Sequence, residues 1–180
     1  MDVQIRLVTE DDAAPLTDLL RRNRGFLAPW EPHREDAFFT EDAQLDQLRT
    51  VLARHEAGTA MPLLINVDQR LAGRITVNDI VRGAFQSAHL GYWVDQAPGG
   101  RGVATAAVAT AVRLAFDDLG LHRLQADTLE HNAASRAVLV RNGFTEIGRA
   151  PRYLRIAGRW QDHVLHQLLN EPSPASAFER

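Results

Sequence analysis

Apolar and polar positions along the chain follow two periods, and the point where one gives way to the other divides the element plan. Residues 4–8 are a short apolar run and predict a first strand. Thr9, with Asp12 three residues later and Ala-Ala-Pro-Leu after it, has the form of a capped helix start. That helix carries Leu16, Leu19 and Leu20 on one face and is expected to end near Arg24 and Gly25. The segment FLAPWEPHRE comes next. Pro29 and Pro32 flank Trp30 there and predict a loop, because prolines so close bar a regular element. Leu45, Leu48, Val51 and Leu52 restore helical spacing over roughly Glu41 to Glu56, and Gly58 ends it.

Short apolar runs then take over. PLLINV (62–67) reads as a buried strand, Asp68-Gln69-Arg70 as a turn, and LAGRITVNDI (71–80) as the returning arm of a hairpin. Gly83 marks the next turn, and SAHLGYWVD (87–95) is a third consecutive strand. Behind it lie the loop APGGRG (97–102) and an alanine-rich helix from Val103 to Leu119, closed by Gly120. HRLQADTL (122–129) is again a strand. Asn132 opens a short helix that stops at Asn142-Gly143, a left-handed helix stop. Residues 144–158 and 159–169 form a closing pair of strands across Gly158. Two helices, an antiparallel meander, a β-α-β unit, a short helix and two strands predict a mixed sheet flanked by helices, an α+β arrangement. Residues 1–170 make a single domain, and 171–180, rich in Pro, Ser and Ala, are expected to fray.

Composition narrows the chemistry. A chain of 180 residues suits one domain and can bury a core without disulfides or a structural metal. Lys+Arg is 20 and Asp+Glu is 23, a formal net charge of −3, too near neutral for a general nucleic-acid binder. There are no cysteines, which excludes disulfides, a thiolate nucleophile and thiolate-held metal. His163 and His166 sit three apart on a strand and face opposite sides, while His33, His55, His89 and His122 show no ligand spacing, so no metal is expected. MDVQIRLVTEDD lacks the basic-then-apolar order of a signal peptide, and no run of 18 apolar residues exists. The expectation is a cytoplasmic protein with no membrane partner.

The stretch from Gly91 to Phe116 carries the strongest chemical signal. A strand feeds a glycine-rich turn, and that turn opens a helix. The first N–H groups of a helix lack internal partners and point outward at the positive end of its dipole. Most helices place Asp or Glu there, yet no acidic residue occurs from Gln96 through Phe116, and Arg101 adds positive charge. Gly99, Gly100 and Gly102 keep side chains off the backbone, and Thr105 offers a hydroxyl. A phosphate or pyrophosphate would complete this site. The bare alternative is a tight strand-to-helix turn. A P-loop is excluded because the loop has no lysine. A dinucleotide fingerprint is matched only in Gly100-x-Gly102, since Thr105 stands where its third glycine would fall.

This loop and the segment HNAASRAVLVRNGFTEIG together resemble the GNAT superfamily of N-acetyltransferases. The superfamily's loop reads Gln/Arg-x-x-Gly-x-Gly/Ala; here Gly99 replaces the first residue, while Gly102 and Ala104 fit. Within it the chain is similar to the RimJ/RimL branch of ribosomal-protein-alanine N-acetyltransferases. Four features carry that likeness: FLAPWEP, NDIVRGAF followed by LGYWV, HNAAS followed by RNGF, and RWQDHVL. They span residues 26 to 165, and the ordered set is nearer to RimJ than to RimL.

The resemblance implies a GNAT-like fold, a mostly antiparallel sheet of about seven strands with a β-α-β unit for acetyl-CoA. It implies that Gly99, Gly100, Arg101, Gly102, Val103, Ala104 and Thr105 hold the pyrophosphate. The strand before the loop splays from the strand after the helix, and the pantetheine arm pairs with main chain near Tyr92, Trp93 and Val94. Val94 N–H would polarise the thioester carbonyl. Asn132 and Ser135 match the family's Asn-x-x-Ser, with Asn132 on the coenzyme arm and Ser135 near its sulfur. Capping of the short helix explains the same two residues, and both roles can coexist. Many members place a tyrosine four residues before the Gly-Phe pair as the acid for the thiolate. Leu139 stands there, so Ser135 is the expected substitute, as a hydrogen-bond donor to sulfur.

The acceptor must be an unprotonated amine. An α-amine of pKa about 7.7–8.0 is already about a tenth neutral at pH 7, whereas a lysine near 10.4 is about 0.04% neutral. An N-terminal amine therefore asks only for a weak base. Glu31 in the Trp-Glu-Pro loop, Glu130 and His131 are the candidates. Trp30 is expected to wall the acceptor pocket, Arg82 to face the same mouth, and Trp160 with Asp162 to lock the last strand. The resemblance implies acetyl transfer to the N-terminal alanine of a ribosomal protein by direct attack in a ternary complex. Small amines as acceptors, or a non-catalytic acyl-CoA sensor, remain open, and a homodimer is compatible with either.

Overall fold

The computed structural model describes residues 1–97 and 101–170. Its seven strands are β1 (Val3–Leu7), β2 (Met61–Val67), β3 (Arg70–Val81), β4 (Ser87–Val94), β5 (Arg123–Leu129), β6 (Thr145–Ile156) and β7 (Arg159–Leu169). They form one sheet in the order β1-β2-β3-β4-β5-β7-β6. Every neighbouring pair is antiparallel except β4 and β5, which are parallel. The helices are α1 (Ala13–Leu27), α2 (Glu41–Glu56), α3 (Val103–Arg113) and α4 (Ala133–Arg141). The α+β expectation and the seven-strand mixed sheet agree with this architecture. Gly99, Gly100 and the tail 171–180 lie outside the described residues.

The central strands are buried on both faces, and β2 shows why its sequence reads as a continuous apolar run. Leu63 and Ile65 pack with Ile75, Leu90 and Val108 under α3, while Leu64 points the other way into a cluster with Leu16, Leu20 and Leu48 of α1 and α2. The β2–β3 turn is held by Asp68 (φ +47°) and Gln69 (φ +65°), and the β6–β7 turn by Ala157 (φ +48°) and Gly158 (φ +79°). Both are two-residue connections with positive φ at each position, the pair whose twist matches the flanking strands.

The helix boundaries depart from expectation in instructive places. α1 does not stop near Gly25 but runs on to Leu27, whose side chain is buried in the α1–α2 cluster. Burial of one more leucine outweighs a glycine in the last turn, worth about 1 kcal/mol. The alanine-rich helix keeps regular bonding only to Arg113; from Leu114 to Asp118 it widens, with Leu119 N–H reaching Leu114 C=O at 3.0 Å. The Asn142-Gly143 stop of α4 is present as expected, with Gly143 (φ +82°) as its left-handed residue. Asp162 does brace the last hairpin, its Oδ1 accepting Arg152 N–H at 2.8 Å, but Trp160 is 62% exposed and locks nothing. No helix among the described residues is long and apolar enough to cross a membrane. His163 and His166 are both buried, and no group of three or more metal-ligating side chains forms among the described residues.

Candidate active site

β4 and β5 pair over only three positions, Ser87 to His89 against Arg123 to Gln125. Beyond His89, β5 continues beside β7 while β4 stays with β3, so a wedge opens between the two parallel strands. Gly73 and Val94 are opposed, and Asp95 N–H donates to Ala72 C=O at 2.7 Å. That bond makes Gly73 and Val94 a non-hydrogen-bonded pair, so the N–H and C=O of Val94, and by alternation of Tyr92, turn away from β3 and into the wedge.

The wedge opens into a cavity of about 510 Å³. Tyr92, Trp93 and Val94 line it from β4, and Gly102, Val103, Ala104 and Thr105 from the start of α3. Asn132 and Ser135 line it from α4, and Phe26, Leu27 and Trp30 from the end of α1 and the turn after it. The expected coenzyme residues that are described thus meet at one place, apart from Arg101, which is exposed and does not line the cavity.

The start of α3 has the chemistry to receive an anion. Gly102 sits at the N-cap with φ +82°, has no side chain to cap the helix, and a Cβ there would stand in open space. No acidic residue lies in the first turn. The free N–H groups and dipole of α3 therefore point into the cavity, fitting the diphosphate of a coenzyme.

On α4, Asn132 Oδ1 accepts the N–H of Ser135 at 3.1 Å, so the expected capping is present. The Ser135 hydroxyl lies 2.9 Å from the Tyr92 hydroxyl, which also reaches Ser135 C=O at 3.2 Å. Burial pushes the Tyr92 phenol up to about 12, with the Ser135 hydrogen bond opposing it in part. Leu139, at the position where many of the superfamily carry tyrosine, is fully buried in the core. The sequence points only to the main chain of Tyr92; that its side chain reaches the cavity and meets Ser135 is visible only in the structure. Alternation along β4 could have found its face, but not its partner on α4.

The acceptor candidates divide. Trp30 reaches the cavity and packs on His131, ring centroids 5.5 Å apart. Glu31 lines a separate recess of about 280 Å³ with Arg34 and His33. Burial raises its carboxyl above the usual range, opposed by the charges of Arg34 and Arg74. Its C=O accepts Ala157 N–H at 2.9 Å, tying the β6–β7 turn to this loop. Glu130 is paired with Arg149 at 3.0 Å. Arg82 does not join the group. It follows β3 at the sheet end remote from Gly73 and Val94, where its guanidinium donates to Leu119 C=O.

A splayed parallel pair, an inward-facing strand N–H and an open helix N-terminus have the geometry expected of an acyl-coenzyme A transferase. The chain belongs to the GNAT acetyltransferase family, whose domain matches residues 2–145. It is an acetyl-CoA-dependent N-acetyltransferase. It is 35% identical over 166 residues to the ribosomal protein uS5-alanine N-acetyltransferase of Escherichia coli (strain K12), covering 91% of this chain and 86% of that protein. Two solved structures are similar throughout. The ribosomal-protein-S5-alanine acetyltransferase of Vibrio fischeri has a TM-score of 0.90 at 33% identity, over 95% of this chain and 94% of that one. Mycobacterium smegmatis RimJ in complex with CoA-disulfide has a TM-score of 0.92 at 33% identity, over 96% of this chain and 84% of that one.

Proposed function

We propose that the protein transfers acetyl from acetyl-CoA to the α-amine of an N-terminal alanine on a ribosomal protein, by direct attack in a ternary complex. The observation that carries the reading is the inward N–H of Val94 set across the wedge from the Ser135 hydroxyl. Val94 N–H donates to the carbonyl oxygen as negative charge builds there. The Ser135 hydroxyl donates to the leaving sulfur. The first turn of α3 binds the diphosphate, with Gly99, Gly100 and Arg101 completing the loop, and Asn132 bonds the coenzyme arm. Trp30 walls the acceptor. The choice of acceptor is supported by the names of two relatives above, ribosomal protein uS5-alanine and S5-alanine acetyltransferases, and by the partly neutral α-amine at pH 7, which needs little activation.

The test is to incubate the protein with acetyl-CoA, peptides beginning with alanine from ribosomal proteins, and a panel of small amines. Free thiol reports turnover and mass spectrometry locates the acetyl group. Acetyl on the peptide α-amine supports the reading. Acetylation of small amines alone, or coenzyme binding without turnover on any amine, overturns it.

A further inference from the structure

From Ile147 through Gln161 the β6–β7 hairpin carries Arg149, Arg152, Arg155 and Arg159 and no acidic residue, in a chain whose formal net charge is −3. Arg149 is held by Glu130 at 3.0 Å, with Glu146 at 3.9 Å. Arg152, Arg155 and Arg159 are exposed, and among the described residues no carboxylate lies within ion-pair distance of their guanidinium groups. The nearby Asp162 accepts the backbone N–H of Arg152 instead, at 2.8 Å. Arg155 Nε donates to Gly158 C=O at 3.2 Å, which uses one of its five donors. Trp160 is the register partner of Arg155, so the two side chains stand on the same face, and the indole is 62% exposed. Tyr153 on the neighbouring strand stacks on His163 at 5.6 Å, but among the described residues no ring or guanidinium stacks on Trp160.

Part of this has a plain structural reason. β6 is an outer strand of the sheet, and charge on an exposed edge discourages pairing with another chain. The irregular pairing between Ala150 and Leu154, where Arg152 has φ +50°, works the same way. Edge protection does not explain Trp160, which lies on the inner strand β7 and leaves an indole in water. An open π-face beside unpaired guanidinium groups suits a ligand that has both anions and flat rings. Single-stranded RNA has one phosphate per nucleotide and bases free to stack. An acidic protein segment supplies the charge but gives the indole nothing to do. The near-neutral total excludes a general nucleic-acid binder and leaves room for a local arm. The position of the arm is also defined. Ala157 N–H, at the hairpin turn, donates to Glu31 C=O at 2.9 Å, and the preceding residue, Trp30, lines the coenzyme cavity.

We propose that the β6–β7 hairpin is an RNA-binding arm, with Arg152, Arg155 and Arg159 on phosphates and Trp160 stacked on an unpaired base. The arm holds RNA beside the end of the cavity that Trp30 lines, so an acceptor protein carried on RNA is brought to the site with its substrate chain nearby. This rests on the ribosomal-protein reading above for the identity of the acceptor and deepens it, because the arm selects acceptors that are already on RNA. Binding through phosphates and one stacked base is tolerant of sequence.

The experiment follows the fluorescence anisotropy of a short labelled oligouridylate on the full chain as salt is raised from about 50 to 200 mM. The parent should bind, and log K should fall against log salt with a slope of about −2, about −0.7 for each of three phosphates. The variant carrying Arg152→Gln, Arg155→Gln and Arg159→Gln should lose that slope. Trp160→Ala should weaken binding about 5- to 100-fold with the slope kept. All four positions are exposed, so Tm and acetyl-CoA affinity should match the parent's. Duplex RNA should bind more weakly, since its bases are already stacked. No binding by the parent at the lower salt overturns the proposal, as does binding that the variants leave unchanged. Displacement by polyglutamate of equal charge as readily as by unlabelled RNA overturns it in favour of an acidic protein partner. Acetylation of a free alanine peptide is assayed alongside and should not change in the arginine variant. A raised KM there would mean that the arginines hold the acceptor chain itself, and the RNA arm falls. A parent that binds RNA but acetylates no such peptide sinks the acceptor reading and leaves the arm standing.

Discussion

The hydroxyls of Tyr92 and Ser135, one on β4 and one on α4, lie 2.9 Å apart at the wall of the coenzyme cavity. A phenol pushed up to about 12 stays protonated at any working pH, so Tyr92 is a permanent donor. It is a poor proton source for the leaving group. Giving its proton to a thiolate of pKa about 8.5 would run uphill by roughly 5 kcal/mol. On the proposed reading the pair acts by hydrogen bonding: with the Tyr92 proton on Ser135 C=O or Oγ, the serine proton is left to face sulfur. Ser135→Ala should lower the single-turnover rate about 10- to 100-fold with little change in acetyl-CoA affinity. Tyr92→Phe should cost about 3- to 10-fold, and the double variant little more than Ser135→Ala alone, because both act on one proton. Strict additivity would separate the two residues.

The open N-terminus of α3 makes a second claim that binding can check. Gly102→Glu places a carboxylate where a diphosphate is expected. The left-handed backbone at φ +82° costs about 1–2 kcal/mol for any side chain, but a carboxylate at a helix N-terminus recovers part of that. The fold should survive with a slightly lower Tm, and calorimetry should detect no coenzyme binding. Gly102→Ala carries the strain without the charge and should retain binding, which separates the two effects.

Much of this arrangement can be read from the sequence, and what cannot has a physical cause. Period and turn residues give the strands and α2 nearly to the residue, because β2 and β4 alternate or run apolar as their burial demands. The open N-terminus of α3 is legible from an absence, the lack of acids behind Gly102. The end of α1 is not, because Leu27 is held by neighbours from α2 rather than by its own turn. Nor could spacing pair Tyr92 with Ser135, because the two stand on separate elements, β4 and α4.

Two glycines of adjacent strands should respond in opposite ways. A Cβ on Gly73 would stand 2.3 Å from Trp93 O and 3.0 Å from Val94 Cα, both backbone atoms that cannot rotate aside. Gly73→Ala must push β3 from β4 at the residue whose N–H faces the wedge. Stability should fall by about 1–3 kcal/mol or more, with weaker acetyl-CoA binding. Gly91→Ala meets only the end of Asn78 at ordinary contact distance, so Tm should hold. Acetyl-CoA affinity should stay with the parent's as well. Thermal melts and calorimetry on the two variants test whether the strands touch at Gly73 and not at Gly91.

The entry to α1 carries a pH-dependent contribution to stability. Arg6 holds Asp12 through two bonds, at 2.6 and 2.8 Å, and Thr9 N–H adds a third at 2.8 Å. The Arg6 hydrogen bonds keep the Asp12 carboxyl below its ordinary value, against the effect of burial. A carboxyl lowered in the folded state stabilises fully above its unfolded pKa, about 3.9, and loses that contribution as pH falls through the folded value. The Asp12 side chain is 8% exposed but that of Arg6 is 48%, so water screens the pair. Arg6→Ala should therefore cost only about 1–2 kcal/mol at pH 7. That deficit should shrink from about pH 4 downward, as protonation of Asp12 removes the charge Arg6 serves. Urea titrations of parent and variant at pH 7, 4 and 2.5 would measure it. A deficit that stayed constant into acid would mean Arg6 stabilises the strand by packing, not by charge.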